Sequence, residues 1–238
     1  MTGSSSAPAP PSDLWHHYGR KKAATDHTIP DRLYWAWDQT GGPGCELLGD
    51  LRGSRVADLG AGSARQAAHL VQHHSPARVD AVDSSPAQHQ FGSDLYARLR
   101  SLGLNLVHAE AVAHLRAHPG EYQAAYSLFG AVDFTDPRHL LPAIHAALAP
   151  GGLLLFSTLG HYVTGRSPES DVRAAEVPAK LPDGTSTTML RWVLDTPVWE
   201  KALTDAGFTG IHIGTVRQAE TDPTPSTATT IATARKAL

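Results

Sequence analysis

The sequence has only one cysteine, Cys45, among its 238 residues. A single cysteine excludes an intramolecular disulfide and any zinc site built from cysteines, and the N-terminus lacks the charged and then apolar pattern of a secretory signal peptide. We therefore expect a cytoplasmic protein. No apolar run approaches the roughly 20 residues needed to cross a bilayer, so we expect no membrane span.

The sequence also has little excess charge of either sign. Its 20 basic and 23 acidic residues give a formal net charge of −3 at pH 7. An overall positive field that would attract nucleic acid is therefore missing, and the one short basic cluster, residues 20–22, is typical of a solvated surface. We expect neither nucleic acid nor a membrane as a partner, and a homodimer stays open.

Histidine, in contrast, is abundant, with 14 residues. His69 and His73 stand four apart on a predicted helix and could share one face of it. However, no carboxylate or third ligand stands at a spacing typical of a metal site. The sequence therefore predicts no metal site.

Composition divides the chain into three parts. Residues 1–12 hold Ser, Pro and Ala without large apolar side chains, which predicts a disordered tail. Residues 13–44 are dense in Trp, Tyr and His and end at the breaker GGPG, which predicts a helical, aromatic-rich cap. Residues 45–238 predict a single domain, in which the Pro- and Gly-rich stretch 160–195 forms an insertion or lid.

Short apolar strands alternate with helices from residue 55 onward. The predicted strands are residues 55–59, 78–82, 104–108, 122–128, 152–158, 209–216 and 227–234, with one more at 187–194 in the insertion. The predicted helices are residues 63–74, 86–102, 111–117, 138–149 and 197–206. Because several strands are apolar on both faces, we predict an α/β fold with a mostly parallel sheet covered by helices on both sides. Such sheets bind ligands at the carboxyl ends of their strands.

A glycine-rich turn, in the segment VADLGAGSAR at residues 56–65, follows the first predicted strand. Such a turn lets the backbone approach a ligand closely and points helix N–H groups at it. A phosphate-binding loop would need Gly-Lys followed by Ser or Thr, and a dinucleotide site would need a third glycine where Arg65 stands. Asp58, just before the turn, would repel a pyrophosphate but suits a ligand with a cationic group and no phosphate.

Acidic residues also follow the second and third predicted strands. Asp83, in VDAVDSSPAQ, stands where a carboxylate can accept hydrogen bonds from both hydroxyls of a ribose. Glu110 and Ala111, in VHAEAVAHL, stand where a side chain and a backbone N–H can contact an adenine edge. These positions favour a nucleoside-like ligand laid across the strand ends.

Together, the segments between residues 56 and 234 resemble a class I S-adenosylmethionine-dependent methyltransferase. The family's glycine turn matches at Asp58, Gly60 and Gly62, its ribose-binding acid matches Asp83, and its adenine-side acid, commonly Asp, is Glu110 here. Ala64 takes the place of the usual third small residue of the turn. The resemblance implies a Rossmann-like sheet of seven strands with an antiparallel last strand, and S-adenosyl-L-methionine as the cofactor. The residues expected to bind it are Asp58, Gly60, Ala61, Gly62, Asp83, Ser84, Gln88, Glu110, Ala111, Ser127, Leu128 and Phe129.

The activity that the resemblance implies is methyl transfer by in-line displacement, which mainly requires an aligned acceptor and exclusion of water. Titratable groups near the expected mouth of the site are candidate catalytic bases. These candidates are His161, Tyr18, Asp133 and His27. Aromatic residues of the cap and insertion favour a pocket for a flat or apolar small molecule. The expected pocket residues are Tyr18, Trp35, Trp37, Phe134, His161, Tyr162 and Trp192.

A cap and a short insertion after the fifth strand resemble small methyltransferases that tailor natural products, so the expected acceptor is a secondary metabolite methylated on oxygen, nitrogen or carbon. Three other functions stay open. A nucleic-acid methyltransferase would normally add a basic face or an RNA-binding appendage, and neither is evident in the sequence. A non-catalytic protein that binds S-adenosylmethionine would have much the same sequence. A nicotinamide-dependent reductase would have to tolerate Asp58 beside the pyrophosphate of its cofactor.

Overall fold

A central sheet of seven strands organises the protein, whose computed structural model describes residues 28–181, 183–217 and 227–238. The strands of the described residues are β1 (Arg55–Leu59), β2 (Arg78–Asp83), β3 (Leu104–His108), β4 (Tyr122–Leu128), β5 (Leu148–Leu159), β6 (Ala175–Lys180), β7 (Ser186–Arg191), β8 (Thr209–Val216) and β9 (Thr229–Arg235). The sheet runs in the order β3, β2, β1, β4, β5, β9, β8, and β6 pairs with β7 separately. Strands β1 to β5 pair in parallel, while β9 is antiparallel to both β5 and β8. The predicted seven-stranded, mostly parallel sheet with an antiparallel last strand is confirmed.

Helices connect the parallel strands and begin at capping residues visible in the sequence. They are α1 (Arg65–His73), α2 (Pro86–Leu95), α3 (Ala111–Arg116), α4 (Ala131–Phe134), α5 (Pro137–Ala147) and α6 (Thr196–Asp205), with 3₁₀ turns at Cys45–Leu48 and Ala97–Leu102. Ser85, Asp136 and Asp195 accept backbone N–H groups at the starts of α2, α5 and α6. In each of these helices a proline occupies the first turn, where its missing N–H costs nothing. The helices of the described residues include none with the length and apolar character to cross a membrane.

The core lies on both faces of the sheet. Along β5, Leu154 and Phe156 join one apolar cluster, while Leu153 and Leu155 join the other. Because successive strand residues point to opposite faces, both sets are buried only when helices cover the sheet on both sides. The long apolar run of β5 thus follows from the burial of both faces of this strand.

The region predicted as a helical cap is not helical where the structure describes it. Residues 28–44 form bends and turns with one isolated bridge between Tyr34 and Gly44. The backbone N–H of Trp35 donates to the carbonyl of Pro43 (3.0 Å), so hydrogen bonding runs across the loop rather than to the fourth preceding residue. Two prolines and three glycines in this segment disfavour a helix. Residues 1–27, including the rest of the cap and the predicted tail, lie outside the described residues.

The insertion and the second predicted helix also differ from expectation. The insertion holds a hairpin of two strands, β6 and β7, rather than the single predicted strand 187–194. Strand β6 was not predicted because Pro178 argues against a strand in the sequence. In an isolated two-stranded hairpin, however, each strand has a free edge, and a free edge tolerates proline. The helix predicted over residues 86–102 ends at Leu95, because the backbone of Tyr96 leaves the helical conformation (φ −118°). The side chain of Tyr96 is buried in the core, and the residue is 2% exposed.

Candidate functional site

A cavity of about 570 Å³ lies at the carboxyl ends of the parallel strands. Its volume falls in the range of about 300–1,000 Å³ typical of small-molecule sites. Twelve of the residues predicted for the site line it. They are Gly60, Ala61, Gly62, Asp83, Ser84, Gln88, Glu110, Ala111, Leu128 and Phe129, together with Trp37 and Phe134 from the predicted substrate pocket. The fold therefore brings segments that are separate in sequence to one concave surface.

The floor of the cavity is formed where two glycine turns meet. A Cβ on Gly60 would lie 2.7 Å from Cα of Gly130 and would overlap the backbone nitrogen of Ala131. Gly60 also has φ +77°, and its N–H donates to the carbonyl of Val82 (2.9 Å). The turns after β1 and β4 consequently touch backbone to backbone, and only glycine permits that approach. Gly130 was not among the predicted site residues, although it stands two residues after the end of β4.

Gly62 is glycine for a different reason. It has φ +56°, and the nearest atom to a Cβ added at this position would be Oε1 of Gln88 at 4.0 Å. Both Gly62 and Gln88 line the cavity, so a side chain at Gly62 would occupy cavity space instead of colliding with the protein. This open cradle, in contrast to the packed Gly60, leaves room for a ligand against the backbone.

Asp83 faces the cavity in a fixed orientation. Its Oδ2 accepts the backbone N–H of Gly62 and its Oδ1 accepts that of Ser85, both at 2.8 Å. Burial raises the pKa of Asp83, and the two N–H donors oppose that rise. A carboxylate has about four lone-pair sites, so each oxygen retains capacity to accept a further hydrogen bond from a ligand.

Asp58 lies beneath the cavity and not in its wall. The carboxylate is buried, with 2% of the residue exposed, and accepts a hydrogen bond from the hydroxyl of Tyr126 (2.8 Å). Burial raises the pKa of Asp58 to about 7, with a further rise from the negative charge of Asp83 and an opposing effect of the Tyr126 hydroxyl. The position directly before the glycine turn therefore holds a carboxyl group that titrates near neutrality.

We expect Asp58→Asn to stabilise the unliganded protein at pH 8 by about 1–4 kcal/mol. Because its folded pKa is about 7 and the unfolded value 3.8, Asp58 binds its proton more tightly when folded. The wild type therefore loses unfolding free energy as pH rises from about 4 to 7, while the asparagine variant keeps the Tyr126 hydrogen bond without the buried charge. Urea unfolding at pH 5 and pH 8 would measure the difference. Two results would contradict this prediction: an Asp58→Asn variant that changes the free energy of unfolding equally at pH 5 and pH 8, or an exposed Asp94→Asn variant that shows the same pH-dependent gain.

Ser127 supports the cavity from below. Its hydroxyl donates to the carbonyl of Leu59 (2.9 Å) and accepts the backbone N–H of Val132 (3.2 Å). Ser127 is fully buried and absent from the cavity wall. It thus ties the end of β1 to the start of α4, in the same place where Gly60 and Gly130 meet.

Several residues predicted for catalysis or for the substrate pocket lie away from the cavity wall. Trp35 is fully buried and donates its indole N–H to the carbonyl of Gly44 (2.8 Å). His161 has Nε2 3.2 Å from the backbone N–H of Ala228, and the buried Tyr162 donates its hydroxyl to Glu169 (3.1 Å). Trp192 packs against the core, while Tyr18 and His27 lie outside the described residues. Of the predicted substrate-pocket residues that the structure describes, Trp37 and Phe134 line the cavity.

Arg191 is one of several cavity residues that the sequence did not indicate. It lies at the end of β7, its guanidinium pairs with the fully buried carboxylate of Asp133, and its side chain is 10% exposed. The guanidinium carbon lies 5.6 Å from the ring centroid of Trp37 and 5.2 Å from that of Phe134. Burial raises the pKa of Asp133 and the Arg191 charge opposes that rise. Asp133, predicted as a catalytic base, contacts Arg191 and does not line the cavity.

Known proteins share both the sequence pattern and the fold. A family profile described as a methyltransferase domain matches residues 56–152. The ubiquinone biosynthesis O-methyltransferase of Pectobacterium carotovorum is 26% identical over 171 residues, which cover 68% of this chain and 67% of that protein.

Solved structures of methyltransferases share the fold, and two of them serve as examples. An S-adenosylmethionine-dependent methyltransferase from Mesorhizobium loti superposes with a TM-score of 0.55 at 20% identity, covering 79% of this chain and 94% of its own. Phosphoethanolamine N-methyltransferase 2 of Haemonchus contortus, in complex with S-adenosyl-L-methionine, superposes with a TM-score of 0.63 at 13% identity, covering 93% of this chain and 56% of its own. The domain profile over residues 56–152, the related O-methyltransferase and the shared fold together support a class I S-adenosylmethionine-dependent methyltransferase.

Proposed function

We propose that this enzyme methylates a small-molecule acceptor, an aromatic or apolar secondary metabolite, on oxygen, nitrogen or carbon. The observation that carries the proposal is that one cavity joins the glycine turn to an aromatic wall. Trp37 and Phe129 meet edge to face with their ring centroids 4.9 Å apart, and Phe134 lies on the same wall. Aromatic side chains at such spacing favour a flat, apolar ligand.

We propose that the cofactor occupies the part of the cavity between the glycine turn and Glu110. The open cradle at Gly62 fits a ligand lying against the backbone, and Asp83 offers its remaining lone pairs to the two ribose hydroxyls. Glu110 and Ala111 stand at the far wall, on the adenine side. The negative charge of Asp58 beneath the turn favours a cationic methionine group above it.

When bound, S-adenosylmethionine supplies a methyl group bonded to a sulfonium sulfur. The positive charge on that sulfur activates the methyl carbon toward in-line displacement by the acceptor. We propose that this chain contributes mainly alignment and exclusion of water, since neither His161 nor Asp133 lines the cavity. Holding two reactants in attack geometry can contribute about 7–11 kcal/mol to catalysis without a strong base. An acceptor that is already a good nucleophile, such as a phenolate or an amine, fits such a site.

The β6–β7 hairpin is the proposed lid. Met189 and Arg191 reach the cavity from β7, and the buried pair of Arg191 with Asp133 ties that strand to α4. The paired aspartate neutralises Arg191, so the guanidinium between Trp37 and Phe134 supports their rings rather than adding a free positive charge. This arrangement agrees with an apolar acceptor.

The test is a methyl-transfer assay with methyl-labelled S-adenosylmethionine and a panel of flat phenols, anilines and electron-rich carbocycles. We expect label in at least one aromatic product, together with S-adenosylhomocysteine in equal amount. Transfer only to non-aromatic acceptors such as phosphoethanolamine, with none to the aromatic panel, would overturn the proposed acceptor class. A labelled RNA or protein product would overturn the small-molecule class.

Trp37→Ala should raise KM for the aromatic acceptor about tenfold, because an aromatic contact of this kind is worth about 0.5–1.5 kcal/mol beyond its buried area. The residue is 38% exposed, so the fold should tolerate the change, and the backbone bond from Trp37 to Thr229 (2.9 Å) does not involve the ring. Affinity for S-adenosylhomocysteine should stay within about twofold of wild type. Steady-state kinetics and calorimetry separate the two effects, with the exposed Leu102→Ala as control. Weakened cofactor binding without a change in acceptor KM would contradict this placement of Trp37.

A further inference from the structure

Cys45 and two histidines bring their ligand atoms together beside α1, outside the wall of the cavity. The Cys45 sulfur and the donor nitrogens of His69 and His74 all lie within 4.8 Å of one another. Sγ of Cys45 is 3.4 Å from Nε2 of His69. The ring of His73 is also near, with its centroid 4.8 Å from that of His69. Four side chains that can bind a soft or borderline metal therefore share one small region.

The orientation of His69 is fixed by a bond on its other side. Nδ1 of His69 lies 2.6 Å from the carbonyl oxygen of Pro30. A carbonyl can only accept, so Nδ1 carries the proton and the lone pair of Nε2 faces the Cys45 sulfur. Metal-binding histidines characteristically donate their second ring nitrogen to a carbonyl or carboxylate, which sets both the tautomer and the ring orientation. His69 is 2% exposed and thus held in this position.

We propose that Cys45, His69 and His74 bind a zinc ion. Zn–S bonds of about 2.3 Å and Zn–N bonds of about 2.0–2.1 Å place tetrahedral S and N ligands about 3.6 Å apart. The Cys45–His69 pair already has this spacing. His74 is only half-buried, at the end of α1, and a rotation of its side chain closes the remaining distance. His73 or a water molecule completes the fourth position.

The donor set selects the metal. One thiolate and two imidazoles suit Zn²⁺, whereas Mg²⁺ and Ca²⁺ require oxygen ligands, which this group lacks. Binding forms one Zn–S and two Zn–N bonds, and the thiol proton leaves to solvent.

The zinc site would join three separate parts of the chain. Cys45 lies in the 3₁₀ turn Cys45–Leu48, and Pro30 comes earlier in the chain. His69 lies on α1, and His74 directly follows the last residue of that helix. The helix α1 begins directly after the glycine turn that lines the cavity. A metal here would therefore hold the N-terminal segment against the helix that follows the cofactor turn, without contacting either substrate.

The test uses the full-length protein, stripped of metal with a chelator and titrated with Zn²⁺ by calorimetry and with Cd²⁺ by ultraviolet absorption. We expect one equivalent of Zn²⁺ per chain, release of a proton, a higher melting temperature and a cadmium-thiolate charge-transfer band. In Cys45→Ser the band should vanish. Zinc affinity should fall at least about 100-fold there, since loss of even an outer-shell partner costs about 10- to 100-fold.

Two further variants keep the result interpretable. His74→Gln changes a half-buried side chain, so it should fold even if Cys45→Ser does not, and it should also weaken zinc binding. His139→Gln, an exposed histidine on α5, should bind zinc like the wild type. Zinc binding that is unchanged in both Cys45→Ser and His74→Gln would place the metal elsewhere, and a wild-type protein without micromolar zinc affinity would overturn the site altogether.

Discussion

Replacing Asp83 with alanine is expected to weaken binding of S-adenosylhomocysteine by about 100- to 10,000-fold. Asp83 would accept two charge-assisted hydrogen bonds from ribose hydroxyls, each worth roughly 1.5–3 kcal/mol, and each 1.4 kcal/mol corresponds to tenfold in affinity. Its orientation is already set by the N–H groups of Gly62 and Ser85, so little entropy is lost when the ribose binds. Isothermal titration calorimetry at pH 8 measures the change directly.

Two variants separate this effect from general damage. Asp94→Ala removes an exposed carboxylate on α2 and should bind the ligand like the wild type. Asp83→Asn keeps an acceptor oxygen and should lie between wild type and alanine. Because Asp83 also holds the glycine turn, circular dichroism and thermal unfolding must show a folded protein before the affinity is compared. Equal affinity in Asp83→Ala and wild type would remove Asp83 from the cofactor site.

Gly60→Ala is expected to lower the free energy of unfolding by at least about 3 kcal/mol, a large share of the stability of a single domain. The new Cβ would overlap the backbone nitrogen of Ala131 and lie 2.7 Å from Cα of Gly130. Both contacts are backbone, so no side chain can rotate away to relieve them. The positive φ of +77° adds about 1 kcal/mol of strain for any residue with a Cβ. We expect the melting temperature to fall by at least about 6 °C.

Gly62→Ala is the matched control for this change. It introduces the same Cβ at a similar positive φ, but the nearest atom would be 4.0 Å away. We expect it to cost only about 1 kcal/mol of stability, while reducing cofactor affinity because the Cβ occupies the cradle. Similar melting temperatures for the two variants would contradict the backbone contact between Gly60 and Gly130, and differential scanning calorimetry decides between them.

The elements that the sequence predicted best are those whose pattern is local. The structure gives β1, β3, β4 and β8 the predicted bounds, because each is a short run whose ends are marked by turn residues or by a change in polarity. The positions Gly60, Gly62 and Asp83 could be predicted for the same reason, since each lies at the end of a recognisable strand or within three residues of it, and all three line the cavity.

The features that could not be predicted from the sequence depend on contacts between residues that are distant in the chain. Arg191 pairs with Asp133, 58 positions away, and neither residue carries a local signal for the pair. The approach of Gly130 to Gly60 similarly exists only once β1 and β4 are neighbours. Residues 28–44 were predicted as helical from aromatic density, but their backbone bonds form across a loop whose shape is set by packing of Trp35 in the core.

The position of β9 within the sheet has a consequence for synthesis of the protein. β9 lies between β5 and β8, yet β5 ends at Leu159 and β9 begins at Thr229. At about 5–20 residues per second, a ribosome needs roughly 4–14 seconds to make the intervening chain. During that interval one side of β5 has no strand to pair with, and an unpaired apolar edge is prone to aggregation. A chaperone that shields this edge on the nascent chain should therefore increase the yield of folded enzyme.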